Sequence, residues 1–540
     1  MSQQTETQQN KIDYFEEIVK IVEKEVKHES DNIRSVLLNG FSAFTDNPIN
    51  MRIFAPSSAG KTYLVNKVSG LFPEDNLIVL STASAKSFKY SHSTKVIFQT
   101  NQYIPLEPEI QKLESSLKKS DDNSKKQPKE LDDNSTKQPE KSDDNSKKLI
   151  NEQIQSLKKE SWNLIDFENK WLIFLDSQEE GLWEFLKTIL SHDNPYSRHQ
   201  VTNKTQGTMG IQKVVFKGYP AVMYCSAKEQ TQLDLTAEQQ TRFQTLNLKS
   251  SPQKYQAGID LIGMRYALGG SLFGDEVINE GEIQKAKIYV QRIIQNLQKY
   301  GKRKNPTFDP FAEKSSESFP HDAGERQRQF DRFCQTCRTL AICNAHQRPK
   351  VVEEGKSHPI VCLSDVHQAL NIIQEQLGLS RDKIRFFNEV VKPAIQQQGR
   401  IMKSDEREFK VLTAREIADF RQNMIGKVQD RKKIYENYLK PLEQFGFIES
   451  KPDPLNGRQK IFSISSHYQD KDAVSESILF DISTLNESCV RDYIQRHLKD
   501  RFDKEKLYIV DSNNNKIDFD EMCRQVLHVD ISPIENRIKN

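Results

Sequence analysis

A short strand that runs into a glycine–lysine turn and out again into a helix constrains this chain more than any other feature. Asn50-Met-Arg-Ile-Phe54 reads as the strand, Ala55-Pro56-Ser57-Ser58-Ala59-Gly60-Lys61-Thr62 as the turn, and Tyr63 to Leu71 as the helix. The turn has the spacing of a phosphate-binding loop, with Ala55 in place of its first glycine. A tight loop in this position aims successive backbone N–H groups inward, and the helix N-terminus adds its positive dipole. Gly60 allows a phosphate to approach closely, Lys61 reaches the β- and γ-phosphates, and Thr62 supplies a hydroxyl ligand for Mg2+. The alternative is a chance match in a Ser/Gly-rich loop, which would need the strand before and the helix after it by accident. ATP or GTP binding is the expectation.

Further strand-length apolar runs follow at Asn76–Leu80, Lys95–Gln99, Lys170–Asp176 and Pro220–Ser226, separated by helical patterns. Such alternation predicts an α/β core with a parallel sheet. The run Leu172-Ile-Phe-Leu-Asp176 ends in the acid expected to hold the Mg2+ water shell. Ser177 stands where a second acid would polarise the attacking water, leaving Glu179 or Glu180 to substitute. Residues 1–40 read as lead-in helices, 41–260 as the ATPase core, 261–400 as a helical lid and 467–540 as a polar C-terminal region. Within the core, Asp-Asn-Ser-containing repeats begin at 121, 132 and 143, a period of eleven with prolines at 128 and 139. With almost no apolar stripe, 111–150 is expected to be a disordered insertion.

Residues 401–466 have another character. Thr413-Ala-Arg-Glu416 is a capping-box pattern, and a second helix is expected over about Met424–Phe445. Phe447-Ile448 opens a strand, a basic turn follows at Pro452–Lys460, and Ile461–Ile464 is the returning strand. Helix, helix and basic hairpin is the order of a winged helix. Arg431, Lys432, Arg458 and Lys460 are its candidate contacts to DNA phosphates; docking of a protein partner is the alternative.

At 540 residues the chain needs roughly two to four domains. A net charge of +2 leaves any nucleic-acid contact to local clusters of Lys and Arg. No apolar stretch approaches the roughly 20 residues needed to span a bilayer, and the N-terminus lacks the pattern of a secretory signal. Seven cysteines do not suggest a disulfide framework, so a reducing cytoplasm is expected. Cys334, Cys337, Cys343 and His346 have ligand-like chemistry but fall on one helical run. At about 100° per residue they cannot converge on one metal, and a zinc site is not expected.

The segments PINMRIFAPSSAGKTYLVNKVSGLFP, STASAKSFKY and WLIFLDSQEEGLWEFLKTILSHD resemble the ATPase core of mobile-element replication proteins. These are AAA+ ATPases similar to minichromosome-maintenance and superfamily 3 helicases, and the resemblance covers roughly 30–350. It implies that Ser226 senses the γ-phosphate. It implies that Arg242 projects into a neighbour's ATP, so that hydrolysis needs a ring, taken as a hexamer; a helix-surface arginine is the alternative. Arg326 and Arg328 become candidates for a second sensor in the lid. Ser197 to Phe216 reads as a hairpin, which the resemblance places in a central pore with Lys204 and Lys213 on DNA; a plain surface hairpin is the alternative. The combined expectation is an AAA+ P-loop core with a helical lid and a winged helix, acting as an ATP- and Mg2+-dependent DNA helicase or translocase. An ATP-switched origin- or promoter-binding protein and a protein-remodelling ATPase are the rivals.

Overall fold

Five short strands pair in parallel in the order Gln244–Asn247, Met51–Phe54, Ala221–Ser226, Trp171–Phe174, Leu77–Leu80. The computed structural model describes all residues except 1–11, 56–57, 84–93, 100–101, 125–140, 193, 206–207, 227–241, 249–251, 268–279, 303–305, 320–324, 377–380, 405–406, 427–430, 445–446, 466–481, 503–505 and 529–540. Strands covered on both faces need apolar side chains at every position, and Trp171–Phe174 and Ala221–Ser226 are buried throughout. Alternate residues serve opposite layers. Ile173 and Met223 face the layer that holds the N-terminal helices. Leu172, Phe174 and Tyr224 join Trp183 of the helix Glu180–Leu190 on the other side.

The N-terminal helices Tyr14–Glu23 and Ser30–Ser42 are fastened to this sheet by shape and by hydrogen bonds. Asn39 Nδ2 donates to Ile49 O at 2.5 Å and to Val222 O at 3.3 Å, while its Oδ1 accepts from Trp171 Nε1 at 2.6 Å. Next to it, Gly40 lets the helix sit on aromatic rings: a Cβ there would lie 2.8 Å from both Phe72 Cζ and Trp171 Cζ3.

The chain leaves Met51–Phe54 toward Leu77–Leu80 at one edge of the sheet, and leaves the adjacent Ala221–Ser226 toward Gln244–Asn247 at the other. Neighbouring strands whose connections depart in opposite directions open a crevice at their carboxyl ends, where open α/β sheets bind ligands.

The run Lys95–Gln99 is a strand, Thr94–Gln99, but belongs to a second, mixed sheet. Its order is Gln102–Pro105, Thr94–Gln99, Trp162–Asp166, Thr208–Lys217, Tyr196–Thr205. The expected hairpin is the last pair, in antiparallel register from Tyr196↔Lys217 to Thr205↔Thr208. The two edge strands approach each other, with the Tyr103 and Tyr196 rings 5.1 Å apart, so the sheet is strongly curled. Where a disordered insertion was expected, the helices Leu106–Ser124 and Lys141–Glu160 enter that segment from both ends. Leu106, Ile110 and Leu113, and Ile150, Ile154 and Leu157, recur at helical spacing and pack with Ile97. The charged repeat conceals these stripes, and 125–140 lies outside the described residues.

The C-terminal region returns to the main body. Leu507–Val510 pairs with Lys350–Glu353 in a four-stranded antiparallel sheet, and Val490, Ile509 and Val526 join the same core as the N-terminal helices. Residues 381–464 form a separate apolar cluster beneath a four-stranded antiparallel sheet, Arg400–Ser404, Arg407–Thr413, Asn456–Ile464, Ile448–Asp453. The capping box is formed: Thr413 accepts from Glu416 N, and Glu416 accepts from Thr413 N, at the start of Ala414–Ile425. The helix expected over about Met424–Phe445 starts later than expected, because the preceding helix runs on through Ile425. Gly426, at φ +70°, ends that helix, and among the described residues the next starts at Arg431. Among the described residues no helix is long and apolar enough to cross a membrane.

Candidate nucleotide site

The loop after Met51–Phe54 reaches the switch-point crevice and ends in the helix Lys61–Ser69. Gly60 is its N-cap at φ +91°, and Ser58 is also left-handed at φ +64°. Left-handed residues reverse the chain so that its amides face one concavity. A Cβ at Gly60 would meet nothing within 4 Å, so the backbone angle, not crowding, calls for glycine there. Lys61 Nζ donates to Ala55 O at 2.7 Å, closing the loop end to end. Thr62 is exposed in the first turn of the helix, beside N–H groups that have no intrahelical partner. Ala59 is buried; Pro56 and Ser57 lie outside the described residues.

Three strand ends meet here. Asp176, exposed just past Trp171–Phe174, accepts from Ser177 N at 2.7 Å. Ser177 Oγ and Ser226 Oγ share a hydrogen bond of 3.0 Å. Ser226 is buried, stands beside Phe54 in register, and its carbonyl accepts from Ala55 N at 3.4 Å. Burial pushes the neighbouring Cys225 thiol up to about 12; Lys61 opposes that shift and Asp176 adds to it. Both charges therefore act on one strand end.

Two residues that the sequence did not single out organise this site. Gln178 is buried; its Oε1 accepts from Ala83 N at 2.7 Å, and its Nε2 donates to Ser81 O at 3.1 Å and Asp176 O at 2.7 Å. It fixes the acid turn to the end of the neighbouring strand. Lys254 donates to Ala59 O at 3.0 Å and also pairs with buried Glu29, tying the loop to the turn between the N-terminal helices. It stands in the first turn of the helix Pro252–Ala267, and its contacts cross 195 and 225 residues. A cavity of about 510 Å3 opens beside Ser58, Ala59 and Gly60, walled by Val26, Tyr63 and Ile259. Glu25 and Glu29 lie on its lining, Glu25 accepting from Lys67 at 2.5 Å and Tyr63 at 3.0 Å.

The remaining candidates are spread over the chain. Glu179 is exposed immediately before the helix Glu180–Leu190, and the Glu180 side chain lies outside the described residues. Arg242 Nη1 donates to Lys187 O at 2.7 Å, near the C-terminus of that helix, an intrachain use of this arginine. Arg326 and Arg328 lie within the first turn of Glu325–Cys343. Arg328 is exposed, and the Arg326 side chain lies outside the described residues. Lys204 pairs in register with Met209 near the hairpin tip, its side chain also outside the described residues. Lys213 lies 5.8 Å from the Trp162 ring, midway along the hairpin, where it pairs in register with Gln200. Arg431 and Lys432 are exposed at the start of the third helix of the 381–464 unit. Lys460, exposed on the returning strand, pairs with Glu443 at 3.3 Å, and the Arg458 side chain lies outside the described residues.

The cysteine–histidine set is dispersed within the core. Cys337 and Cys343 are buried among apolar residues. His346 Nε2 donates to Ile12 O at 2.8 Å, its ring stacks on Tyr14 at 4.0 Å, and burial lowers its pKa to about 4. Among the described residues, no group of three or more His, Cys, Asp or Glu is arranged to hold a metal ion. Compared with models of known protein families and with curated proteins, the chain matches none.

Proposed function

We propose that the chain is a P-loop ATPase of AAA+ type that uses ATP to act on DNA. The observation that carries this is the convergence of three strand ends on one crevice, bringing the left-handed loop with Lys61, the exposed Asp176 and the Ser177–Ser226 pair together. A triphosphate rests on the amides of the loop and of the helix's first turn. Lys61 exchanges its bond to Ala55 O for the β- and γ-phosphates. Thr62 and Asp176 offer the hard oxygen donors that Mg2+ prefers, and these two would hold it. The metal would neutralise phosphate charge. Ser226, aligned by Ser177, contacts the γ-phosphate, and Glu179 polarises water. The base occupies the cavity beside Ser58–Gly60, whose apolar walls and carboxylate acceptors suit a ring bearing an amino group.

A hexameric ring would let Arg242 stabilise charge in a neighbour's site, once released from Lys187 O. In the 381–464 unit, the order helix, strand, strand, helix, helix, strand, strand supports the winged-helix reading. Its third helix carries Arg431 and Lys432 toward a major groove, with Arg458 and Lys460 on the wing. A second reading, an ATP-switched DNA-binding protein, is favoured by Ser177. This side chain is hydrogen-bonded to Ser226 at the position where a second acid would speed hydrolysis. Nucleotide binding and DNA-stimulated hydrolysis by wild type and Lys61→Ala test the proposal, and unwinding of a forked duplex separates the two readings. Loss of charge-assisted bonds should weaken ATP binding by roughly 10- to 100-fold. Undiminished affinity in Lys61→Ala would overturn it.

A further inference from the structure

We propose that the concave face of the curled mixed sheet binds single-stranded nucleic acid, stacking bases on Phe98, Tyr103, Trp162 and Tyr196. Strand register puts these rings on one face. Phe98 pairs with Tyr103 across one hairpin, Trp162 pairs with Val96 two residues before Phe98, and Tyr196 pairs with Lys217, which pairs with Asp166 on the strand of Trp162. Three of the rings are contiguous, with centroids 5.0 Å apart for Phe98–Tyr103 and 5.1 Å for Tyr103–Tyr196, and Trp162 joins them through Arg198. Phe98 and Tyr196 are open to solvent, at 45% and 36%, and Tyr103 and Trp162 are half-buried, whereas Val96 and Val215 beneath them are buried.

Cations are interleaved with the rings. The Arg198 guanidinium lies 4.5 Å from the Phe98 centroid, 5.5 Å from Tyr103 and 5.8 Å from Trp162, and donates to the Tyr103 hydroxyl. Lys213 lies 5.8 Å from the other side of the platform at Trp162, and the helix leading into that strand carries Lys158 and Lys159 in its last turn, before Glu160. The carboxylate Asp166 on this face is already paired with Lys217 at 2.9 Å. A cavity of about 520 Å3 opens among Phe98, Tyr103, Tyr196 and Arg198.

Flat rings with cations between them match a polymer that alternates aromatic bases with phosphates. Base stacking on aromatic side chains is tolerant of sequence, and Arg adds cation–π attraction and phosphate neutralisation. A duplex keeps its base faces internal, so this surface discriminates for single strands. An acidic polypeptide would use the cations but leave the rings without a role. The inference extends the nucleic-acid reading above, yet uses neither the phosphate loop nor the basic wing.

The test uses the full-length chain, titrated with oligo(dT) and oligo(U) of about 16 nucleotides and with a duplex of the same length. Of the three tryptophans, Trp171 and Trp183 are fully buried, so fluorescence quenching by a single strand reports on Trp162. Expected are quenching by single strands, little by duplex, and loss of the signal in Trp162→Phe. Phe98→Leu and Tyr196→Leu should each weaken single-strand binding by about tenfold, with Phe98→Tyr restoring it. Arg198→Ala should lower the salt dependence by about one ion. Relative affinity for oligo(dT) and oligo(U) identifies DNA or RNA as the preferred source of the strand. Wild-type affinity in both leucine variants, equal quenching by duplex, absence of single-strand binding, or equal competition by polyglutamate would each overturn the inference. ATP binding, measured on the same variants, stays unchanged and shows that failure here is not failure of the ATPase reading.

Discussion

Replacing Gln178 by leucine isolates the hydrogen bonds that hold the acid turn, because the side-chain volume is nearly kept. The amide is 4% exposed and makes three bonds to backbone: from Ala83 N–H, and to the carbonyls of Ser81 and Asp176. Ser81 and Asp176 are exposed, so their carbonyls recover water, whereas the partly buried Ala83 N–H recovers less. An unsatisfied buried donor costs about 1–3 kcal/mol, and each exchanged bond about 0.5 kcal/mol or more. The net loss is about 2 kcal/mol, concentrated in the acid turn and the segment after Leu77–Leu80. Local opening is read by amide hydrogen exchange, where about 2 kcal/mol is roughly a 30-fold loss of protection. Peptides spanning 77–83 and 171–179 should lose protection by about that factor in Gln178→Leu, while Tyr14–Glu23 keeps its own. ATP turnover should fall with it, since Asp176 is then aimed less well. Unchanged protection at Ala83 would refute the reasoning outright, whatever the activity.

Two further predictions concern the body that carries the site. Gly40→Ala drives a methyl to 2.8 Å from Phe72 and Trp171; overpacking of about 1–3 kcal/mol should outweigh the gain in helix propensity and lower the melting temperature. Burial is the chief reason that the Asp13 and Asp309 carboxyls are both raised to about 6 from the ordinary 3.8. Their protonated forms are favoured in the folded chain, so this contribution is complete below about pH 4 and is lost as pH rises through 6. A tenfold change in proton affinity is worth about 1.4 kcal/mol, so each carboxyl accounts for a loss of about 3 kcal/mol across that window. Asp13→Asn retains an N-cap residue for Glu16 N while removing one charge, so its melting temperature should fall less than wild type between pH 4.5 and 7. An identical pH profile in the variant would contradict the assignment.

How much could be read from sequence follows from how far apart the determining residues lie. The loop, the runs at Trp171 and Ala221, the capping box at Thr413–Glu416 and the hairpin around 205 are local patterns. Each is written within one short contiguous stretch of the chain, and each is present. Gln178 and Lys254 make decisive contacts across 95 and 195 residues, and an ordinary Gln or Lys carries no local mark of that. Likewise, curling that brings Tyr103 to Tyr196 depends on the register of five strands. The helices entering 111–150 had a local signal at Leu106, Ile110 and Leu113, but the charged repeat outweighed it. At Gly426 the sign of a helix stop was present and a continuous helix was expected nonetheless.

Ser177 bears on what the proposed site does with its nucleotide. The turn it occupies adjoins Ser226 and Cys225, both buried, in surroundings poor enough in water to push the thiol up to about 12. A second carboxylate at 177 would be desolvated next to Asp176, and two like charges this close resist joint ionisation. Serine avoids that repulsion and uses its hydroxyl to align Ser226. Set against one carboxylate at 176 are Lys61 and the positive end of the helix Lys61–Ser69, a balance that favours an incoming polyanion. Under the proposed function, activation of water would fall to Glu179, which stands exposed at the start of the next helix. The arrangement therefore favours holding the triphosphate over rapid cleavage. Glu179→Gln should lower turnover without weakening ATP binding, and equal turnover in the two proteins would remove Glu179 from the reaction.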